Sequence, residues 1–101
     1  MKPTESLTWI LYDIAKDRSR NKVAKACKEA GLMRVQKSVF LGPLERNRLD
    51  ELAMRIEDLI NPDADKVYIF PMCDADFRKV RLQGQAFDKK LVHGDVRSMF
   101  L

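Results

Sequence analysis

Residues 7–14 read Leu-Thr-Trp-Ile-Leu-Tyr-Asp-Ile, a run of apolar and β-branched side chains that predicts a central β-strand. Successive side chains of a strand point to opposite faces, so Trp9 and Leu11 share one face with Asp13. Ile10, Tyr12 and Ile14 share the other face. Both faces of the strand are therefore apolar, apart from one carboxylate near its end. A carboxylate among core side chains is costly to bury without a partner, which makes Asp13 the first candidate for a functional residue.

The rest of the chain alternates between helical and strand patterns. Asp17 or Ser19 is predicted to cap a first helix that runs to about Ala30, with Gly31 next, in the position that favours a left-handed backbone. The order of elements is typical of an α+β ferredoxin-like sandwich, β-α-β-β-α-β, with residues 33–43 forming either one bent strand or two. The further predicted elements are a strand over 34–41 that stops at Gly42-Pro43, a helix over 44–60, a strand over 66–73 and a short strand over 77–82.

The chain of 101 residues is close to the commonest size of a single domain. We predict a ferredoxin-like domain over residues 1–83 and a C-terminal arm or tail over residues 84–101. Two helices cover only one face of a four-stranded sheet, so the other apolar face needs a different cover. A second copy is the simplest cover, which predicts a homodimer. The arm can add an extra C-terminal strand to an edge of the partner's sheet.

Charge is distributed unevenly along the chain. Residues 15–37 hold eight Lys or Arg and two carboxylates, whereas residues 45–65 hold three Arg and seven carboxylates. A basic face opposite an acidic one suits an anionic partner such as nucleic acid, although a solvated helix surface is the simpler alternative. Four cations of the first predicted helix are candidate contacts to a phosphate backbone: Arg18, Arg20, Lys22 and Lys25.

The two cysteines, Cys27 and Cys73, have no metal-ligand spacing and form no disulfide framework, which favours a reducing compartment. Cys27 lies on the apolar stripe of the first helix and is predicted to be a core residue. The N-terminus lacks a signal-peptide core, and no apolar run reaches membrane-spanning length. We therefore expect a cytoplasmic protein that does not contact a membrane.

Asp13 has a structural and a functional interpretation. The structural one is an ion pair with an arginine, for example Arg18, or a cap on the following turn. The functional one is a ligand of Mg²⁺, which commonly takes one or two protein carboxylates and completes its shell with water and substrate phosphates. In a two-fold dimer two copies of Asp13 can share such an ion. Metal-assisted phosphodiester hydrolysis is the enzyme class that these residues permit.

These motifs resemble CRISPR-associated protein two, the small adaptation subunit found beside the CRISPR integrase. The resemblance covers about residues 7–73. It implies a ferredoxin-like homodimer whose C-terminal strand crosses to the partner. The matching stretches are Leu11-Tyr12-Asp13-Ile14, Asp17-Arg18 at the start of a helix, Gly31-Leu32 leading into residues 34–42, and residues 67–73.

The resemblance also implies a function in spacer acquisition, where a dimer bridges two integrase dimers and lies along the duplex of the incoming double-stranded DNA. Members are also described as endonucleases that act on RNA or double-stranded DNA with Mg²⁺, and Mn²⁺ is a second implied ion. By this resemblance Asp13 is the catalytic and metal-binding aspartate, and Arg18 is the arginine at the helix start. The implied supporting residues are Tyr12, Ser38 and Phe40.

Three functions remain open at this point. The first is a DNA-binding scaffold of the integrase complex without catalysis, and the second is a metal-dependent nuclease; one dimer can combine both. The third is a ferredoxin-like dimeric nucleic-acid-binding or regulatory module that is not an enzyme. An RNA-recognition motif is disfavoured because Phe40 is the single aromatic residue in residues 34–41, and core or dimer packing is its simpler role.

Overall fold

The computed structural model describes residues 4–86. Its strands form one antiparallel sheet in the order β2-β3-β1-β4, which confirms the predicted α+β ferredoxin-like fold. The predicted arm over residues 84–101, with its extra strand, lies almost wholly beyond the described residues and stays a prediction. In chain order the elements are β1 (Glu5–Asp13), α1 (Asp17–Glu29), β2 (Met33–Gln36), β3 (Val39–Glu45), α2 (Arg46–Leu59), β4 (Lys66–Met72) and α3 (Asp74–Lys79).

The segment between the two long helices folds as a hairpin. β2 pairs with β3, and residues 37–38 form the turn between them, so residues 33–43 contain two strands. The predicted stop at Gly42-Pro43 is wrong, because β3 runs through both residues. β2 pairs only as far as Leu41, so β3 has a neighbouring strand on one side alone at Pro43, where a missing N–H is tolerated.

Helix α1 ends as the sequence predicts. Gly31 has a φ of 91°, in the left-handed region that glycine adopts without steric cost. The Gly31 N–H donates to the carbonyl of Lys28 at 2.9 Å, and the Leu32 N–H donates to that of Cys27 at 3.1 Å. These two bonds satisfy carbonyl groups at the end of the helix and turn the chain into β2.

Both long helices begin differently from the prediction. Lys16 is the N-cap residue of α1 and makes no side-chain capping bond, so the prediction that Asp17 or Ser19 caps the helix is wrong. Asp17 lies instead in the first turn, where a negative charge favours the positive end of the helix dipole. Helix α2 begins at Arg46, because residues 44–45 still belong to β3.

The sheet separates two apolar clusters. On one face, α1 and α2 pack against a cluster that includes Ile10, Tyr12 and Phe40. On the opposite face, Leu7 of β1 and Leu41 of β3 form a second cluster. The alternation of side chains along β1 therefore places apolar residues on both faces, as predicted.

Helix α3 covers part of the second face. Phe77 is fully buried there, and its ring lies 6.0 Å from the ring of Trp9. The predicted short strand over residues 77–82 is therefore wrong. Acidic residues in the first turn of α3 and basic residues in its last turn complement the helix dipole, which favours a helix at this position.

The remainder of the second face is uncovered in the described part of the chain. Tyr68 and Phe70 of β4 are 53% and 49% exposed, and their rings stack with centroids 6.4 Å apart. Leu11 of β1 lies directly opposite Tyr68 in the sheet. We call Leu11, Tyr68 and Phe70 the uncovered patch. No helix within residues 4–86 is long and apolar enough to cross a membrane.

Gly42 lies where two segments approach too closely for a side chain. A Cβ atom at this position would lie 2.9 Å from Cδ2 and 3.2 Å from Cα of buried Leu32. We expect Gly42→Ala to lower the free energy of unfolding by about 1–3 kcal/mol, because Leu32 has to shift. Urea denaturation measures the change.

The matched test of this explanation is a double-mutant cycle. Leu32→Ala alone should cost about 2–5 kcal/mol, because it leaves a cavity in the core. With Leu32 truncated, the added methyl group at residue 42 has room, so the double variant should lose less than the sum of the two single losses. Strictly additive losses would show that the contact with the Leu32 side chain is not the cause, and would leave the 3.2 Å approach to the Leu32 Cα atom as the source of the loss.

Candidate metal and nucleic-acid site

Asp13 is the last residue of β1 and lies opposite Lys66, the first residue of β4. Its side chain is exposed and makes no hydrogen bond or ion pair within residues 4–86. The prediction of a carboxylate among core side chains is therefore wrong: Asp13 shares a face with Leu11, but it extends past the packed part of that face into water. The alternative of an ion pair with Arg18 is not formed in this part of the chain either.

The backbone before Asp13 is fixed by the turn between β2 and β3. The Tyr12 N–H donates to the Ser38 carbonyl at 3.1 Å, and the Tyr12 hydroxyl donates to the Lys37 carbonyl at 3.4 Å. The ring of Tyr12 stacks on that of Phe40, with centroids 6.3 Å apart. The structure thus brings Tyr12, Ser38 and Phe40 together beside Asp13. Phe40 is fully buried, in agreement with a packing role.

Arg34 joins this group, although the sequence did not single it out as a site residue. Its guanidinium carbon lies 5.2 Å from the ring centroid of Phe40, its neighbour across the β2–β3 hairpin. Its Nη2 donates to the hydroxyl of Tyr12 at 3.5 Å. A cation stacked on an aromatic face is held in place electrostatically, so Arg34 stabilises the turn beside Asp13. The placement of Arg34 beside Phe40 could be predicted only from the register of the β2–β3 hairpin, which the sequence does not reveal.

The backbone after Asp13 is held at two atoms. Arg20 donates from Nη1 to the Ile14 carbonyl at 3.0 Å and forms an ion pair with Asp17. The N–H of Ala15 donates to Oδ1 of Asp65 at 3.1 Å. Among the four predicted nucleic-acid contacts, Arg20 is thus the one whose guanidinium is turned toward the protein.

Asp65 was also not singled out from the sequence. Its Oδ2 accepts a hydrogen bond from the Asn61 N–H at 2.9 Å. The backbone N–H groups of Asn61 and then of Ala15 hold the pKa of the Asp65 carboxyl below its ordinary value. The available signal was local, because Asn and Asp side chains of a turn commonly bond to nearby backbone groups. The bond from Asn61 belongs to that type, whereas the bond from Ala15 is non-local.

The basic surface of α1 is formed by exposed cations at helical spacing. Arg18, Lys22 and Lys25 follow one another by four and three residues, which places them on one side of the helix. Lys25 Nζ lies 3.9 Å from Glu29 Oε1, an exposed pair of the kind that contributes little to stability. Arg18 and Lys22 make no ion pair within residues 4–86. Of the four predicted contacts, these two are exposed and engage no carboxylate of the described chain.

Cys27 is kept out of surface chemistry by its burial in the described chain. Cys27 is fully buried in the core, as predicted. Desolvation raises the pKa of its thiol to about 11, so the thiol is neutral at physiological pH. Burial and the neutral thiol therefore remove Cys27 from the candidate site residues.

A metal ion at Asp13 would receive few protein ligands from one chain. Within residues 4–86, no three His, Cys, Asp or Glu side chains are grouped closely enough to hold a metal ion. Asp13 itself can supply carboxylate oxygen, the ligand that Mg²⁺ prefers, and Mg²⁺ commonly keeps several waters or phosphates in its shell. The residues therefore fit a magnesium ion that is held by one carboxylate of this chain and completed from outside it.

The cleft between the two long helices lies apart from the candidate site. A cleft of about 270 Å³ between α1 and α2 is lined by Glu29, Arg48 and Arg55, among others, and none of the predicted site residues lines it. Small-molecule sites are usually concave and enclose most of their ligand. An exposed carboxylate beside an exposed row of cations suits an extended anionic polymer instead.

Comparison with known proteins identifies the family. The family model described as CRISPR associated protein Cas2 matches residues 6–80, a stretch that contains every predicted site residue. The chain belongs to the Cas2 family. The resemblance drawn from the motifs is thereby confirmed, and the match extends beyond them at both ends.

Two curated relatives in the Cas2 family show the degree of similarity. The CRISPR-associated endoribonuclease Cas2 of Desulforudis audaxviator is 45% identical over 71 residues, which cover 70% of this chain and 67% of the relative. The protein of the same name from Korarchaeum cryptofilum is 39% identical over 72 residues, covering 68% of this chain and 74% of the relative.

Solved structures share the fold of this chain. A hypothetical protein from Thermus thermophilus superimposes with a TM-score of 0.71 at 31% identity, covering 83% of this chain and 96% of that protein. Cas2 of Streptococcus pyogenes superimposes with a TM-score of 0.67 at 23% identity, covering 77% and 99% of the two chains. The second likeness shows that the fold is shared.

Proposed function

We propose that this Cas2-family protein is a homodimeric subunit of CRISPR spacer acquisition that binds double-stranded DNA along α1 and bridges integrase dimers. We further propose a Mg²⁺-dependent or Mn²⁺-dependent endonuclease site at Asp13. The observation that carries this proposal is a juxtaposition: the exposed Asp13 carboxylate ends β1, and the basic helix α1 begins at Asp17. Family membership supports the roles in acquisition and in integrase binding.

The basic surface of α1 supports nucleic-acid binding through phosphates. Arg18 and Lys22 are exposed and form no ion pair within residues 4–86, and Lys16 precedes them at the N-terminal end of the helix. Contacts of this type neutralise phosphates without reading base sequence, so binding should weaken steeply as salt rises. Duplex DNA that lies on this surface would pass close to Asp13.

The exposed carboxylate supports the metal-dependent reaction. Asp13 would hold the ion, and Lys16 or Arg18 would orient a phosphate beside it. When bound, Mg²⁺ polarises a phosphodiester toward attack by water. The relatives named endoribonucleases favour RNA as one substrate, and double-stranded DNA is the second.

The uncovered patch supports the dimer. Exposed stacked rings on a sheet face are typical of an interaction surface, and a second copy would remove them from water. Asp13 lies on the same face of β1 as Leu11 of the patch. A two-fold dimer formed there would bring both Asp13 carboxylates to one interface, where they can share an ion.

A scaffold without catalysis is the second candidate function. The observation that favours it is that no three His, Cys, Asp or Glu side chains within residues 4–86 are grouped closely enough to hold a metal ion. A wild-type protein that binds DNA and integrase but cleaves nothing would establish this alternative.

Asp13→Asn should abolish metal-dependent cleavage. Because the side chain is exposed and makes no contact in the described chain, the free energy of unfolding should change by less than about 0.5 kcal/mol. Cleavage is measured on labelled single-stranded RNA and duplex DNA with Mg²⁺, Mn²⁺ or a chelator. Asp58→Asn removes the same charge from an exposed position of α2 and should cleave as the wild type does. Cleavage that survives in Asp13→Asn would exclude this site.

Arg18→Ala combined with Lys22→Ala should weaken binding to duplex DNA of any sequence. The slope of log Kd against log salt should flatten by about one unit for each phosphate contact that is lost. The control, Arg46→Ala combined with Arg48→Ala, removes the same charge from exposed positions of α2. An equal loss in both double variants would mean that net charge, and not the α1 surface, determines binding.

Phe70→Glu should weaken the homodimer by at least about tenfold, because a carboxylate would be buried at the interface without a partner. Sedimentation equilibrium measures the dissociation constant. Met54→Glu is the matched control, since Met54 is 68% exposed on α2, on the opposite side of the sheet. A dimer that is unchanged in Phe70→Glu would place the interface elsewhere.

A further inference from the structure

The connection between β1 and β4 continues beyond the last backbone pair of the ladder. Asp13 and Lys66 are that pair, at the end of β1 and the beginning of β4. Asp65, the residue immediately before β4, continues the connection with its side chain, because its Oδ1 accepts a hydrogen bond from the N–H of Ala15 at 3.1 Å. A side chain thus replaces the ladder at the position where the loop toward α1 begins.

Both oxygens of this carboxylate are occupied by backbone groups. Oδ2 accepts the N–H of Asn61 at 2.9 Å, in the loop between α2 and β4. Hydrogen bonds to an ionised acceptor are stronger than those between neutral groups. One carboxylate therefore ties the loop that follows Asp13 to the loop between α2 and β4.

The backbone around Asp13 is held on both sides, whereas its side chain is not held. The Tyr12 N–H is bound by the Ser38 carbonyl, and the Ile14 carbonyl is bound by Arg20. The Asp13 carboxylate makes no bond within residues 4–86. Its direction is therefore set through the backbone, and the bond from Ala15 to Asp65 joins that backbone to the loop that precedes β4.

We propose that Asp65 is a positioning residue for Asp13: by holding the Ala15 N–H, it sets the direction in which the end of β1 presents the Asp13 carboxylate and the neighbouring Lys16 to a nucleic-acid phosphate. The inference rests on the proposed function, in which Asp13 holds a divalent ion. Displacement of a reacting group by about 1 Å can cost about a hundredfold in rate, so a loop anchor can control a site that it does not touch.

The test compares Asp65→Asn with Asp63→Asn in the full-length protein. Asparagine has the shape of aspartate but one acceptor oxygen, so one of the two N–H groups loses its acceptor. Asp63 lies in the same exposed turn, and its carboxylate makes no bond within residues 4–86, so its substitution matches the charge change alone.

Two spectroscopic readouts are followed alongside cleavage. The first is the Mn²⁺ concentration that half-broadens the NMR amide signals of residues 12–15, and the second is the hydrogen-exchange rate of the Ala15 amide. In Asp65→Asn we expect the half-broadening concentration to rise about tenfold, as for other residues that orient a metal ligand, and Ala15 to exchange faster. Asp63→Asn should match the wild type in both. Asp65→Glu keeps two acceptor oxygens but places them one methylene group farther from the backbone. We expect it to change both readouts in the same direction as Asp65→Asn does. It is used in place of Asp65→Asn if that variant does not fold.

The outcomes separate this inference from the proposed function. Equal Mn²⁺ binding in the wild type and Asp65→Asn, with Ala15 exchanging faster, would overturn the positioning role while leaving the metal site intact. Mn²⁺ binding without cleavage in the wild type would overturn the nuclease, and the role of Asp65 would be decided by the Mn²⁺ titration. No broadening at residues 12–15 in the wild type would overturn the metal site and the role of Asp65 together.

Discussion

Strand β1 is hydrogen-bonded along nearly its whole length to β3 on one side and to β4 on the other. Because it is paired on both sides, its alternating side chains are committed to two opposite faces. Ile10 and Tyr12 enter the cluster under the long helices, and Leu7 enters the cluster under α3. The same strand carries Asp13 out of the sheet at its end, so the fold and the candidate site follow from one pairing.

Much of the fold was readable from local patterns, and the failures have identifiable causes. The alternation in β1 and the glycine after α1 are strong signals, and the structure agrees with both. The hairpin turn at residues 37–38 contains Lys and Ser instead of the Asn-Gly or Gly-Gly pairs that mark tight turns, so two strands resembled one. Helix α3 has six residues, too few for a helical period to be distinguished from a strand.

The exposed residues of the candidate site could be predicted from the sequence, whereas the residues that hold its backbone in place could not. Asp13 and the cations of α1 stand out because their charges interrupt or follow an apolar pattern. Asp65 and Arg34 act on the loop and on Tyr12 from 50 and 22 residues away in the chain, and no local pattern reports such a distance. Three-dimensional geometry also decides which cation is engaged: Arg20 donates to the Ile14 carbonyl, whereas Arg18, two residues earlier, makes no such bond within residues 4–86.

The exposure of Asp13 has a consequence for how this protein can change over generations. Core residues are retained because the chain fails to fold without them, so their identity is protected by stability. Asp13 has no such protection, since its side chain contacts nothing that folding requires in residues 4–86. A single nucleotide change can remove it and leave the subunit intact. Its persistence in a lineage would therefore report natural selection for the chemistry of that carboxylate, and its loss would record the point at which only assembly still mattered.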